Sequence, residues 1–200
     1  MDKQVSRQFF NQEAAHWDET VRNNDADELR ALAERLSIQP DARVLDVGTG
    51  TGVFIPYIKS KLNGGGRVLC VDFAFKMLEI AQKKNGCDGV DHVCVDIETV
   101  RFADHKFDTV VCYSAFPHFH DKPLALENIF EVLTNDGVVY ICHSASREFI
   151  NNIHRKMPDF SDHLIPEKGE MFTMLGNAGF FDISITEDDA YYLAQATKMH

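Results

Sequence analysis

The sequence lacks the features that mark several classes of protein. Its five cysteines are an odd number and include no Cys-x-x-Cys pair, so neither a disulfide framework nor a zinc ribbon is indicated. No stretch approaches the roughly 18 consecutive apolar residues that a membrane-spanning helix requires. The first residues, Met1 to Gln4, lack the charged and then apolar pattern of a secretory signal. We therefore expect a cytoplasmic protein without a membrane span.

Basic charge is also scarce. The 200 residues include 20 Lys and Arg against 31 Asp and Glu, which gives a formal net charge of −11 at pH 7. Proteins that bind nucleic acid hold its phosphates with clustered Lys and Arg. Here the basic residues are scattered, so we expect no nucleic-acid partner. The hydrophobic content of 44% is typical of a globular protein, and the length suits one domain.

The middle of the chain alternates short apolar runs with helical segments. Such runs are typical of strands buried on both faces, and their alternation with helices predicts a doubly wound α/β fold with a parallel sheet. The predicted strands are 44–47, 68–71, 90–95, 109–113 and 138–142, and the predicted helices are 53–62, 75–84 and 124–133. Four cysteines lie in these runs and are expected to be small core residues, namely Cys70, Cys94, Cys112 and Cys142.

The two ends of the chain depart from this alternation. Residues 5–17 and 25–36 carry apolar side chains at helical spacing, and a helix near 167–178 stops at Gly179. Residues 180–186 and 190–197 then read as a hairpin. The prediction is a seven-stranded Rossmann-like sheet, mostly parallel, with a C-terminal antiparallel hairpin. We expect one domain over 1–200, with a helical lid at 1–40, a cofactor-binding core at 41–143, and acceptor-side helices and the hairpin at 144–200.

The strongest motif is the segment from Val44 to Gly52, where a buried strand leads through Gly48, Gly50 and Gly52 into a helix. Glycines at such a turn let the backbone bend sharply and let a ligand approach closely. Ligands of open α/β sheets bind beyond the carboxyl ends of the strands, where this loop lies. The same glycines could also serve packing alone.

Acidic residues end the next two strands. Asp72 lies twenty residues after Gly52, where a carboxylate can accept hydrogen bonds from ribose hydroxyls. Asp96 and Ile97 follow the third strand and suit an adenine, the carboxylate accepting from the exocyclic amine and the aliphatic side chain packing on the ring. Ser114 follows the fourth strand. Either aspartate could instead only cap the helix that follows it.

Taken together, these features resemble the class I S-adenosylmethionine-dependent methyltransferases, and within them the small-molecule group that includes quinone-biosynthesis C-methyltransferases. The resemblance rests on the Ala14 to Asp18 segment, the glycine loop, the two acidic strand ends, the Leu133 to Gly137 turn and the closing hairpin. The turn reads Asn-Asp-Gly where the family often has Pro-Gly-Gly.

This resemblance implies that S-adenosylmethionine is the cofactor. It implies that Asp46 orients the methionine amino group, that Gly48 and Gly50 line the methionine moiety, and that the first helix closes over the cofactor with Phe9, Phe10 and Trp17. The predicted cofactor-binding residues are Asp46, Gly48, Thr49, Gly50, Gly52, Asp72, Phe73, Met77, Asp96, Ile97 and Ser114.

Two other functions share parts of this pattern. An NAD-dependent dehydrogenase has a similar strand, glycine loop and acid, but its third glycine is expected at position 53, which is Val53. A cofactor- or metal-binding regulator could retain the fold without turnover.

Methyl transfer is an in-line displacement, so the protein contributes mostly alignment, exclusion of water and sometimes a general base. The candidate catalytic residues are His118 and His143, although His118 could be only a hydrogen-bonded loop residue. Arg147, His154 and His163 are predicted to form a polar acceptor site, and His143, His154 and His163 could hold a divalent metal. The expected partner is a small-molecule methyl acceptor; the oligomeric state is left open, with a homodimer as one alternative.

Overall fold

The computed structural model describes residues 2–20, 25–102 and 107–199. Residues 21–24 of the predicted helical lid therefore lie outside the described residues. Among those described, no helix is both long enough and apolar enough to cross a membrane. The helices are α1 Lys3–Glu13, α2 Trp17–Thr20, α3 Ala26–Glu34, α4 Ile55–Lys61, α5 Phe75–Asn85, α6 Lys122–Val132, α7 Arg147–Arg155 and α8 Lys168–Asn177. The strands are β1 Arg43–Val47, β2 Arg67–Asp72, β3 Val90–Cys94, β4 Phe107–Tyr113, β5 Leu133–His143, β6 Phe181–Glu187 and β7 Tyr192–Thr197.

The strands form one seven-stranded sheet in the order β3-β2-β1-β4-β5-β7-β6. The first five are parallel, and β7 pairs antiparallel with both β5 and β6. The predicted architecture is therefore confirmed, including the closing hairpin. The strand order reverses direction between β1 and β4, and ligands of doubly wound sheets bind in the crevice at this point.

Helices cover both faces of the sheet because successive residues of a buried strand point to opposite sides. On one face, Val44 packs with apolar residues of α3 and α4. On the other, Leu45 packs with apolar residues of α6 and α8. A smaller cluster joins α1 to α5 and contains Phe10, Met77 and Phe160. This last cluster places the N-terminal helix over the carboxyl edge of the sheet.

The expectation that all five parallel strands are buried on both faces was wrong for β3. Asp91, Val93 and Cys94 are exposed, because β3 lies at the edge of the sheet and has a neighbour on one side only. Cys94 is consequently not a core residue, whereas Cys70, Cys112 and Cys142 are buried as expected.

Several boundaries also differ from the predictions. The helix after the glycine loop begins at Ile55 rather than at residue 53, because residues 51–54 are used by the turn. The first predicted helix is broken at Ala14–His16, which form a 3₁₀ turn. Strand β5 extends back through the predicted turn to Leu133, which pairs with Phe107 of β4.

Candidate cofactor pocket and acceptor site

The glycine loop is held against β2 and approaches β4 closely. The backbone N–H groups of Gly48 and Thr49 both donate to the carbonyl oxygen of Val71, at 2.8 and 3.1 Å. Gly48 has φ +69°, and a Cβ at this position would lie 2.4 Å from the Cβ of Ala115. Only glycine therefore lets the loop pass the end of β4, and this close approach forms the floor of a cleft.

Asp72 is fixed beside this loop by two backbone donors. Its Oδ2 accepts from the N–H of Gly50 at 2.8 Å and its Oδ1 accepts from the N–H of Ala74 at 2.7 Å. Burial raises the pKa of Asp72 to about 6, although the backbone hydrogen bonds act in the opposite direction. Each carboxylate oxygen can accept a second hydrogen bond. The side chain is thus a rigid acceptor that a pair of ligand hydroxyls could use.

A pocket with about 960 Å³ of open space lies along the carboxyl edge of the sheet, between the glycine loop and the ends of β2 and β4. Nine of the eleven predicted cofactor residues line it: Gly48, Thr49, Gly50, Asp72, Phe73, Met77, Asp96, Ile97 and Ser114. Thr51 and Val53 from the glycine loop and Tyr113 and Ala115 from the end of β4 also line the pocket.

Asp46 and Gly52 are not among the residues that line the pocket. Asp46 is buried beneath it, and its Oδ2 accepts a 2.5 Å hydrogen bond from the Thr49 hydroxyl. Burial, together with the charge of Asp72, raises the pKa of Asp46 to about 7. In this conformation Asp46 supports the loop from behind, and its predicted contact with a methionine amino group stays a prediction.

At the other end of the pocket, Asp96 and Glu98 hold a lysine from the N-terminal helix. The Nζ of Lys3 lies 2.9 Å from Asp96 Oδ2 and 2.6 Å from Glu98 Oε2. The N–H of Glu98 donates to Asp96 Oδ1 at 2.9 Å, and Ile97 between them is buried. Asp96 and Ile97 therefore lie together at this end of the pocket, and their contact with an adenine stays a prediction.

The N-terminal helices cover the pocket and are held at both ends by side-chain contacts. Phe10 and Trp17 line the pocket, with their ring centroids 5.3 Å apart. Lys3 fastens one end, as described above, and the Thr51 hydroxyl donates to Asp18 at 2.5 Å at the other. The contacts agree with the predicted covering role of this segment, whereas its movement as a lid stays a prediction.

The acceptor side is formed by histidines near the ends of β4 and β5. His118 lines the pocket, and its Nδ1 lies 3.1 Å from the Nδ1 of His163. The ring centroid of His154 is 4.9 Å from that of His118. His143 is buried and does not line the pocket, but its Nδ1 lies 3.3 Å from the hydroxyl of the pocket residue Ser114. Burial lowers the pKa of His143 to about 3.

Arg147 is separate from this group. Its guanidinium binds Glu167 at 2.8 Å and Glu187 at 3.3 Å. The prediction that Arg147 converges with the histidines was therefore wrong, because two nearby carboxylates hold its side chain. His154 and His163 lie close together and His118 joins them, whereas their role in an acceptor site stays a prediction.

The expectation of a metal at His143, His154 and His163 is not supported. Within ranges 2–20, 25–102 and 107–199, no group of three or more His, Cys, Asp or Glu side chains is arranged to hold a metal ion. The Nδ1 atoms are engaged within the protein, since the Nδ1 of His154 binds the carbonyl oxygen of His163 and the Nδ1 of His143 faces Ser114. The Nε2 of His143 is buried and has no hydrogen-bond partner among the described residues.

Sequence reasoning missed two residues at the Asp96 end of the pocket, Glu98 and Lys3. Glu98 is buried, and its carboxylate accepts from the N–H groups of His120 and Asp121, at 2.9 and 3.2 Å. Its place two residues after Asp96 was the available signal. Lys3 carried no local signal, because its partners lie more than ninety residues away in the sequence.

A family of known proteins and a solved structure both resemble this chain. Residues 45–141 match the family described as the methyltransferase domain. The structure also resembles the protein in complex with the Haloferax volcanii Trm112 methyltransferase activator, with a TM-score of 0.78 over 96% of this chain and 98% of that chain. At 20% identity, that likeness concerns the fold alone.

Two methyltransferases match the chain over most of its length. The chain is 31% identical over 176 residues to phosphoethanolamine N-methyltransferase 1 of Zea mays, a match that covers 84% of this chain and 34% of that protein. It is 28% identical over 166 residues to the ubiquinone/menaquinone biosynthesis C-methyltransferase UbiE of Vibrio campbellii, a match that covers 81% of this chain and 60% of that protein. The chain thus spans less than two thirds of either relative.

The resemblance to the class I S-adenosylmethionine-dependent methyltransferases is therefore confirmed: residues 45–141 form a methyltransferase domain within the fold of that class. S-adenosylmethionine is the cofactor of this class. The matches favour it over the dehydrogenase alternative.

Proposed function

We propose that this protein transfers a methyl group from S-adenosylmethionine to a small-molecule acceptor. The observation that carries the proposal is the pocket itself, in which the glycine loop and the buried Asp72 carboxylate face the space between the ends of β2 and β4. Its relatives are named as N- and C-methyltransferases, so the resemblance leaves the acceptor atom open.

The residues of the pocket fit an adenosyl ligand. Asp72 offers acceptors for two sugar hydroxyls, and Ile97 with Asp96 offers an apolar surface beside a carboxylate. When bound, S-adenosylmethionine supplies a methyl group attached to a positively charged sulfur. The carboxylates along this edge favour such a cation, because opposite charges attract strongly where water is scarce.

The chain itself contributes binding, alignment and exclusion of water. Phe10 and Trp17 cover the pocket, and Phe119 with His118 closes its acceptor side. Alignment of two reactants in a covered site can supply a large part of a displacement barrier. These mostly apolar walls favour a small, uncharged acceptor over a polynucleotide, in agreement with the net charge of −11.

Two measurements test the proposal. Calorimetry with S-adenosylhomocysteine should show saturable binding, whereas NAD should show none at millimolar concentration. Purified protein given methyl-labelled S-adenosylmethionine and a small-molecule cell extract should release S-adenosylhomocysteine and label an extract component. Asp72→Asn should reduce both signals, and Asp91→Asn, which alters an exposed carboxylate on β3, should leave them unchanged.

Two outcomes would contradict the proposal. Failure of the cofactor product to bind the folded protein would remove its basis. Tight binding without labelling of any extract fraction would instead favour the non-catalytic regulator.

A further inference from the structure

Two histidines face each other through identical ring atoms beside the pocket. His118 follows β4 and lines the pocket, and its Nδ1 lies 3.1 Å from the Nδ1 of His163. At this distance one nitrogen must carry the proton and the other must offer a lone pair. The pair can therefore exchange a proton along this bond. Because Nδ1 of His118 is engaged, Nε2 is the nitrogen that remains for a molecule in the pocket.

The third histidine fixes the geometry of this pair. The Nδ1 of His154 lies 2.5 Å from the carbonyl oxygen of His163, and a carbonyl can only accept, so His154 carries its proton on Nδ1. The Asn151 side chain holds the same segment of chain by bonding both the N–H and the carbonyl oxygen of Ile165, at 2.8 and 3.0 Å. Helix α7 therefore positions His163 through two side chains.

His163 lies between His118 and an exposed carboxylate. His163 is buried, and its Nε2 lies 3.9 Å from Oδ1 of Asp162, whose side chain is 70% exposed. This distance allows an ion pair when His163 is protonated. The sequence of groups from the pocket to water is thus His118, His163 and Asp162.

The surroundings oppose a lasting positive charge on His118. Burial lowers its pKa well below the usual value, and His154 on α7, His163, His143 on β5 and Lys122 on α6 lower it further. Lys122 is close because its Nζ donates to the carbonyl oxygens of Pro117 and Phe119, at 3.0 and 3.1 Å. At neutral pH His118 is an uncharged base. Burial also lowers the pKa of His163, to about 4, so neither ring of the pair retains an added proton at neutral pH.

We propose that His118 and His163 form a proton relay for acceptors whose reacting atom carries a hydrogen, such as a phenolic oxygen. This inference rests on the proposed methyl transfer. As the acceptor oxygen bonds to the methyl carbon, its O–H bond breaks and the proton passes to Nε2 of His118. The electron pair of the broken sulfur–carbon bond stays on sulfur. His118 gives the proton on Nδ1 to Nδ1 of His163, and Nε2 of His163 releases its own proton toward Asp162 and water.

The relay specifies the substrate class. An acceptor without a hydrogen on its reacting atom, such as a tertiary amine, does not use the relay. The apolar surfaces of Phe10 and Phe119 favour an uncharged aromatic acceptor. The acceptor is thus expected to be a neutral aromatic molecule that loses a proton on methylation.

Two variants of His163 distinguish a relay from a structural role. His163→Asn can keep a hydrogen-bonding atom near the position of Nδ1 but cannot pass a proton on, and His163→Phe keeps a ring without either function. His92→Phe on β3 is the matched control, because it replaces a histidine outside this group. The probes are phenol, whose oxygen carries a proton, and N,N-dimethylaniline, whose nitrogen carries none, each with methyl-labelled S-adenosylmethionine.

We expect both His163 variants to lower kcat for phenol on the order of 100-fold with little change in KM, because general-base catalysis has about this magnitude. Added imidazole should restore part of the rate. Neither variant should affect any reaction of N,N-dimethylaniline. A phenol rate that survives in His163→Asn would overturn the relay, and so would an equal loss with both probes.

A second measurement does not depend on turnover. In protein labelled with ¹⁵N-histidine and saturated with S-adenosylhomocysteine, the Nδ1 signal of His118 should shift in His163→Phe and remain in place in His92→Phe. An unchanged signal would refute the pairing. Loss of S-adenosylhomocysteine binding by the wild-type protein would instead contradict the proposed function, so the two failures are distinguishable.

Discussion

Replacing Asp72 by Asn should weaken the binding of S-adenosylhomocysteine while leaving the protein folded. The carboxylate is buried and pinned by the N–H groups of Gly50 and Ala74, so it cannot turn away from a ligand in the pocket. A hydrogen bond to a charged acceptor contributes about 1.5–3 kcal/mol. Loss of one such bond corresponds to a dissociation constant raised by roughly 10- to 150-fold.

The same substitution has a predictable effect on stability. An Asn side chain offers one oxygen instead of two, so one of the two backbone donors loses its acceptor. An unsatisfied buried donor costs about 1–3 kcal/mol. For a domain of this length the melting temperature should fall by about 2–12 °C. The protein should therefore remain folded at 25 °C, where binding is measured.

Isothermal titration calorimetry of wild-type, Asp72→Asn and Asp91→Asn protein provides the assay, with thermal unfolding in parallel. Asp91 is the control because it is an exposed carboxylate on the neighbouring strand β3. A folded Asp72→Asn variant with wild-type affinity would show that the carboxylate makes no ligand contact. That result would refute the assignment of Asp72 to the sugar hydroxyls.

Two further predictions concern the loop and the residue beneath it. Gly48→Ala should destabilise the protein by about 1–3 kcal/mol more than Gly50→Ala in thermal unfolding. Both positions have positive φ, but only a Cβ at position 48 would collide with Ala115. Equal losses of stability in the two variants would contradict the close approach of the loop to Ala115. Asp46→Asn should gain stability relative to wild type as pH rises from 3.8 to about 7. The folded pKa of Asp46 is raised to about 7, so over this range the unfolded wild-type carboxyl ionises while the folded one keeps its proton, and the wild-type protein loses stability. A stability difference that stays constant with pH would show that Asp46 is not protonated in the folded state.

The parts of the site that could be predicted from sequence lie close together in the chain. Gly48, Asp72 and Asp96 directly follow predicted strands, and Gly50 lies two residues beyond Gly48. Because the carboxyl ends of parallel strands meet at one edge of a sheet, correct strand assignments suffice to bring these residues together. The fold could also be predicted, because the alternation of strands and helices restricts the possible topologies.

The parts that could not be predicted depend on contacts between distant segments. The His118–His163 pair spans 45 residues, and the Lys3–Asp96 pair spans 93. No local spacing encodes such contacts, because they follow from how the loops and the N-terminal helix pack. The exposure of β3 was missed for a different reason. Residues 91 and 92 of this strand are Asp and His, a polar pair inside the run that indicated exposure and was passed over.

The two sides of the pocket differ in charge, and this difference relates the proposed cofactor binding to the proposed proton relay. Carboxylates stand along the β2 and β3 ends, whereas the side near His118 carries imidazoles close to Lys122. A bound sulfonium is attracted by the first side and would be repelled by a protonated imidazole on the second. Its binding should therefore disfavour protonation of His118 still more, because like charges repel strongly in a site from which water is excluded. In the proposed relay, the base is thus kept neutral while the methyl donor is bound, and the proton taken from the acceptor passes on through His163.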